Sequence, residues 1–202
     1  MPGFKTEGIV LKRRDFGEAD RILTVFSKDK GKITVIAKGV RRITSRRAGN
    51  VELLNRVSMY LHQARSLPIL TEATSLDTFQ KIKEDLTLST YAYHIIELID
   101  KFTAENQENR IIYGDLVQVL ERLSKKPRQI LIRAFEAKIL NNLGFVDFDK
   151  KILQDLASFN WDQIEQIKIE EKEALDLERG LRYTIEKILE GELKSRKFLK
   201  KV

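Results

Sequence analysis

The chain has no cysteine, two histidines, three prolines and one tryptophan among its 202 residues. Without thiols it can hold neither a disulfide nor a thiolate-bound metal, and no thiol nucleophile is available. His62 and His94 lie far apart and fall in no metal-ligand spacing, so each reads as structural. No apolar run approaches the roughly 20 residues that span a bilayer. The segment MPGFKTEGIV has neither the charged nor the apolar block of a secretory leader, so the expected compartment is the cytoplasm. The phosphate loop GxxxxGK(S/T), the elbow GxSxG and the helix motif HExxH are all missing. Acidic pairs at Asp147 and Asp149 and at Glu170 and Glu171 are flanked by lysines and read as solvated faces. No catalytic constellation, metal or cofactor is expected.

One further scarcity is local. Residues 38 to 47, KGVRRITSRR, contain five cations and no acid. Residues 1 to 66 hold 15 Lys and Arg against 6 Asp and Glu, whereas residues 67 to 202 hold 22 against 24, so the excess of +7 resides wholly in the first third. A blocked asymmetry of this kind concentrates polyanions and releases their counterions on binding.

The period of the apolar residues divides the chain. Short runs rich in β-branched residues at 5 to 13, 20 to 27, 32 to 38, 51 to 64 and 67 to 75 predict five strands, with Gly31 in a hairpin turn and Leu53, Val57, Met59 and Leu61 on one face of the fourth. Five short strands without a parallel crossover suggest an antiparallel barrel of the oligonucleotide/oligosaccharide-binding (OB) type. From about residue 80 the period becomes helical. Leu88, Tyr91, Ala92, Ile95, Ile99 and Phe102 form one stripe, Ile112, Leu116, Val119, Leu120 and Leu123 a second, and Leu131, Phe135 and Ile139 a third. Pro127 is expected in the first turn of the third helix and Gly144 just past its end. A last helix over 171 to 190 would bury Leu177, Leu181, Ile185 and Ile188 and stop at Gly191. The reading is an α+β chain, with a five-stranded OB-fold β-barrel at 1–80 and an α-helical domain at 81–202.

Within the barrel, Lys12, Arg13, Arg14 and Arg21 gather around the loop joining strands one and two, which flanks the nucleic-acid face of OB folds. Lys38, Arg41, Arg42, Arg46 and Arg47 occupy the long connection between strands three and four, and Arg56 lies in the fourth strand region. Aromatic platforms are few. Phe26 reads as core, and Phe16, beside Gly17, is the expected exposed ring. Such a surface predicts binding dominated by phosphates, salt-dependent and tolerant of sequence and of strand number. An RNA-binding or translation-linked OB protein would share these electrostatics, and a metal-dependent nuclease is the third class.

The stretches TEGIVLKRRDFGEADRILTVFSKDKGKITVIAKGVRR, SLPILTEATSLDTF, LNNLGF and GELKSRKFLKKV resemble the RecO family of bacterial DNA-repair proteins. The resemblance implies a non-enzymatic, nucleoid-associated mediator that binds single- and double-stranded DNA and anneals complementary strands. With its partner RecR it would help load RecA onto DNA coated by single-stranded-DNA-binding protein, whose acidic C-terminal tail docks on the helical domain. For that tail the candidates are Arg122, Lys125, Lys126, Arg128 and Arg133. Many members carry four zinc-binding cysteines after the segment matching LNNLGF. Here none exists, and Ile152, Leu156, Phe159, Trp161 and Ile164 are expected to hold that region by apolar packing. The basic end ELKSRKFLKK would touch DNA or complement a helix dipole.

Overall fold

Alternation of apolar and polar residues governs the first part of the structure, a computed structural model that describes residues 3–191 and 193–195. Strands β1 (Gly3–Phe16), β2 (Asp20–Ser27), β3 (Gly31–Ala37), β4 (Arg56–His62) and β5 (Ile69–Asp77) close into a five-stranded barrel in the order β1-β2-β3-β5-β4. In β3 the alternation is strict. Ile33, Val35 and Ala37 point inward and join Val10, Leu23, Val25, Val57, Met59, Leu61 and Leu70 in one core. β1 serves two partners, pairing with β4 over Gly3 to Ile9 and with β2 over Gly8 to Phe16. A register shift between Val10 and Lys12 bends it and leaves both Val10 and Leu11 buried.

Among the described strands the one parallel pairing, β3 with β5, is the barrel's weak seam. It consists of a single residue pair, Ile36 opposite Ile69, with the Ile36 N–H donating to the Pro68 carbonyl at 2.9 Å.

The strand expected over 51 to 64 is shorter than that. Residues Gly49–Val51 form one turn of 3-10 helix, and β4 begins only at Arg56. Leu54, not Leu53, is the buried leucine, and it sits at φ 69°. The cause is local: the Asn55 amide donates to the Gly49 and Asn50 carbonyls at 2.9 and 3.0 Å, while the Asn50 side chain accepts from the Ser75 N–H and hydroxyl. These bonds offer the backbone an alternative to the ladder. Val40 and Val51, both fully buried, join the barrel core from the β3–β4 connection.

Two compact units result. The first runs through Gln80 and also takes in Phe102–Tyr113, while the second comprises Lys81–Lys101 and the described residues from Gly114 onward. Segment 102–113, whose apolar residues read as helical, thus includes a piece of the barrel unit. Its Asn106 N–H donates to the Lys32 carbonyl at 2.8 Å, and its Glu105 accepts from the Thr34 hydroxyl at 2.9 Å, covering the edge of β3.

The helices, which lie in the second unit except for Gln80, Phe102 and the first turn of α3, are α1 (Gln80–Glu84), α2 (Leu86–Phe102), α3 (Arg110–Lys125), α4 (Gln129–Asn142), α5 (Lys151–Ser158), α6 (Trp161–Gln166) and α7 (Glu171–Leu189). None of them is long and apolar enough to cross a membrane. α4 is central: Ile130 through Ala137 are buried all round, and α5, α6 and α7 pack on it. Pro127 lies outside α4, whose N-cap is Arg128. α7 ends not on Gly191 but on Glu190, which takes the left-handed conformation (φ 51°), while the Gly191 N–H returns to the Glu186 carbonyl at 3.2 Å.

The region expected to be held by apolar packing centres on Trp161. Its indole N–H donates to Asp115 at 2.8 Å, and its ring lies 5.6 Å beneath the Lys138 ammonium, which donates in turn to the Phe159 carbonyl at 2.7 Å. Leu156 and Ile164 are buried beside it, whereas Ile152 and Phe159 are only half-buried. A capping box between Asn160 and Gln163 starts α6. Among the described residues no group of three or more His, Asp or Glu is placed to hold a metal.

The expected basic end over 192 to 201 lies largely outside the described residues. Leu193 to Ser195 are described and latch onto α2: Glu97 accepts the N–H groups of Lys194 and Ser195 at 2.7 and 2.8 Å. The Ser195 hydroxyl lies 3.1 Å from His94 Nδ1, and His94 Nε2 lies 2.6 Å from Glu136.

Gly31 combines a left-handed φ of 64° with an ideal Cβ position 1.8 Å from the Gln107 carbonyl oxygen. Gly31→Ala should therefore cost more than the about 1–3 kcal/mol of backbone strain alone, read as a lower urea midpoint. An unchanged midpoint would mean that segment 102–113 is not held against the barrel. Burial disfavours the Glu97 carboxylate, but its hydrogen bonds from Ser195 and Lys194 and the neighbouring His94 outweigh this and hold its pKa below the ordinary 4.5. A depressed carboxyl contributes stability above its unfolded pKa and loses it as pH falls through the folded one. The urea midpoint should thus fall from about pH 4.5 downward, less steeply in Glu97→Gln; coincident profiles would contradict the latch.

Candidate nucleic-acid interface

Strand directions place the β1–β2 loop and the β3–β4 connection at the same end of the barrel, because β1 and β3 both run toward that end. Hydrogen bonds join them. The Arg41 N–H donates to the Ala19 carbonyl at 2.9 Å, its guanidinium donates to the Gly17 carbonyl at 3.1 Å and pairs with Asp15 at 3.3 Å, and the Gly39 N–H donates to Asp20 at 2.7 Å. Arg21 pairs with Asp15 at 3.0 Å and Glu52 at 3.2 Å, and Arg13 also pairs with Glu52. Three acids among the cations thus act as braces.

Arg47 crosses the weak seam. Its guanidinium donates to the Lys38 carbonyl, just past β3, at 2.8 Å and to the Leu70 carbonyl of β5 at 2.6 Å, with Thr71 at 3.4 Å. Arg56 is held elsewhere in the unit, paired with Glu7 at 3.3 Å and interacting with the Tyr113 phenol. Burial and Glu7 push that phenol's pKa well above its ordinary value.

The eleven residues expected at a DNA surface therefore separate. Arg13, Arg21, Arg41, Arg47 and Arg56 have their guanidinium groups engaged with the protein itself. Arg14, Lys38, Arg42 and Arg46 are exposed, with no side-chain hydrogen bond or ion pair seen among the described residues. Lys12 is exposed too, and the Phe16 ring is half-exposed at 50%. Phe26 is fully buried, as a core residue should be. Lys38, Arg42 and Arg46, with the Thr44 and Ser45 hydroxyl side chains, line a shallow basin of about 490 Å³. Arg47 and the single carboxylate of Asp20 complete the lining, and the net positive charge, with the Thr44 side chain, suits a phosphodiester. A second hollow of about 580 Å³, lined by Phe4, Lys30, Pro68 and Glu105, lies at the opposite end of the strands and lacks that charge density.

Residues 1–79 match the family model "Recombination protein O N terminal", and residues 83–150 match "Recombination protein O C terminal". The chain belongs to the RecO family. It is 35% identical over 145 residues to the DNA repair protein RecO of Pelotomaculum thermopropionicum, covering 72% of this chain and 57% of that one. To that of Desulforudis audaxviator it is 38% identical (72% and 58%), and to that of Roseiflexus sp. 34% (70% and 50%). The chain thus spans between half and three-fifths of the relatives' length, and residues 151–202 lie beyond both family models. The resemblance of the terminal GELKSRKFLKKV to the family has no match in those models.

In this RecO-family chain the cations expected to receive a partner's acidic tail are mostly occupied. Arg122 pairs with Asp162 at 2.7 Å and Glu165 at 3.0 Å. Arg128 donates to the Glu165 and Ile167 carbonyls around the end of α6, and Arg133, nearly buried, pairs with Glu136 at 3.0 Å. Lys125 and Lys126 are exposed. Arg128 and Arg133 nonetheless line, with Ile130, Ile169 and Ala174, a hollow of about 270 Å³. Ser195, His94 and Glu136 stand in the order of a nucleophile, base and carboxylate, but at 5%, 4% and 1% exposure they form a buried brace rather than a site open to substrate.

Arg47→Ala should lower stability by roughly 2 kcal/mol, the scale of a lost charged hydrogen bond, and Arg47→Lys should recover only part because an ammonium cannot fork. Urea unfolding checks this. Wild-type stability in Arg47→Ala would show that the seam closes without it.

Proposed function

We propose that the chain is a non-enzymatic recombination mediator that binds single- and double-stranded DNA and anneals complementary strands. In this reading it acts with RecR to help load RecA onto DNA coated by single-stranded-DNA-binding protein, whose acidic tail docks near the hollow beside Arg128 and Arg133. The observation that carries the reading is the pair of braced loops that leave Arg14, Lys38, Arg42 and Arg46 facing solvent at one end of an OB barrel. Membership of a DNA-repair family supports it. Phosphates supply most of the affinity, since exposed aromatic surface is small, and this favours binding of any sequence in either strand state. Annealing follows from that economy: a protein that holds strands mainly through their phosphates leaves most bases of two strands free to pair.

Annealing of complementary oligonucleotides without nucleotide or metal, on bare strands and on strands coated with single-stranded-DNA-binding protein, tests the activity. The triple variant Lys38→Ala, Arg42→Ala, Arg46→Ala should unfold as the wild type does. It should lower the slope of log affinity against log salt by about 2–3 on duplex, equally across sequences, and slow annealing. An unchanged slope would remove the loop from the footprint, and a strong preference for RNA over DNA of the same sequence would move the protein to another class.

A further inference from the structure

The tip of the basic connection is apolar. Ile43 is fully exposed, and it occupies a corner of the turn in which the Ser45 N–H donates to the Arg42 carbonyl at 2.9 Å. Lone exposed isoleucines are ordinary, but three features set this one apart. Turn corners favour Gly, Pro, Asn, Asp and Ser, so a β-branched residue there gains nothing from local conformation. The same connection buries Val40 and Val51 completely and leaves Ile43 in water. The turn is also held at its root, by Arg41 on the β1–β2 loop and by Arg47 across β3 and β5, so the side chain is presented rather than trailing. Arg42 precedes it directly and Arg46 follows three residues later, both exposed. The half-exposed Phe16 ends β1, next to the loop to which this connection is tied.

A rigid aliphatic tip between cations has the chemistry of a wedge: the cations take phosphates and the apolar group takes the space between two bases. We propose that Ile43 is a prong that enters the base stack of the bound nucleic acid while Arg42 and Arg46 hold the phosphates on either side. The inference rests on the reading that these loops bind nucleic acid, and it adds what phosphate contacts alone do not supply. A prong separates neighbouring bases and turns their pairing edges outward, so that a held strand is ready to meet its complement. It also discriminates by stacking, entering most readily where a step is weakly stacked.

The test uses the whole chain and an oligonucleotide carrying 2-aminopurine, a base whose fluorescence is quenched by stacking, at successive positions. At saturation the wild type should raise emission several-fold at one or two positions per bound protein. Ile43→Ser should keep the wild-type unfolding midpoint and salt slope, bind about 3–10-fold more weakly on the scale of one lost apolar wedge contact, and abolish the rise. Ile43→Leu should keep it. A rise that survives in Ile43→Ser, or saturation by the wild type without any rise, would overturn the proposal and leave Ile43 as a contact for a protein partner. Failure of the underlying reading looks different, because the Lys38, Arg42, Arg46 variant would then bind with an unchanged salt slope.

Discussion

The guanidinium of Arg47 bridges the one place where the barrel is barely closed. β3 and β5 share a single residue pair, and Arg47 reaches from the long connection to carbonyls on both sides of that seam. Closure abolishes sheet edges only when every neighbour is joined, so a side chain here does the work of missing ladder bonds. The residue that closes the barrel also shapes the connection from which the neighbouring cations project. Barrel integrity and surface presentation are therefore one problem in this chain.

The same economy governs charge. The β1–β2 loop and the β3–β4 connection are rich in cations that would repel one another if all were free, and Asp15, Asp20 and Glu52 offset that repulsion by binding Arg13, Arg21, Arg41 and the Gly39 N–H. What remains facing solvent is a smaller set around a shallow basin. A fixed, partly neutralised scaffold carrying a few uncommitted cations loses less side-chain entropy on binding than a floppy basic loop would, while its net charge still attracts a polyanion from a distance.

The barrel and its basic end were legible because they rest on one-dimensional signals: period two in β3, an apolar switch to period 3.6 near residue 80, and five cations in ten residues. The division of labour within that run was not. Arg46 and Arg47 are adjacent and chemically the same, and only the position of β5 decides that one faces water and the other binds carbonyls. Arg122 and Arg128 hide in the same way, since their partners on and after α6 lie some 40 residues away in sequence. The early end assigned to the fourth strand run failed because the amide bonds of Asn50 and Asn55 outcompete the ladder over Val51 to Leu54. Trp161, by contrast, was visible as an apolar anchor where the family often places cysteines, although its bond to Asp115 and its stacking beneath Lys138 could not be read from spacing.

Hydrogen–deuterium exchange of the whole chain with and without a short single-stranded oligonucleotide tests the central claim most directly: that a connection braced by Arg41 and Arg47 presents the nucleic-acid surface. The account predicts slowed exchange in residues 39 to 46 and 14 to 19 on binding, with β3 and β5 at the seam already protected and unchanged. Slowed exchange confined to the helical unit, or a seam that becomes protected only when the oligonucleotide is bound, would contradict it.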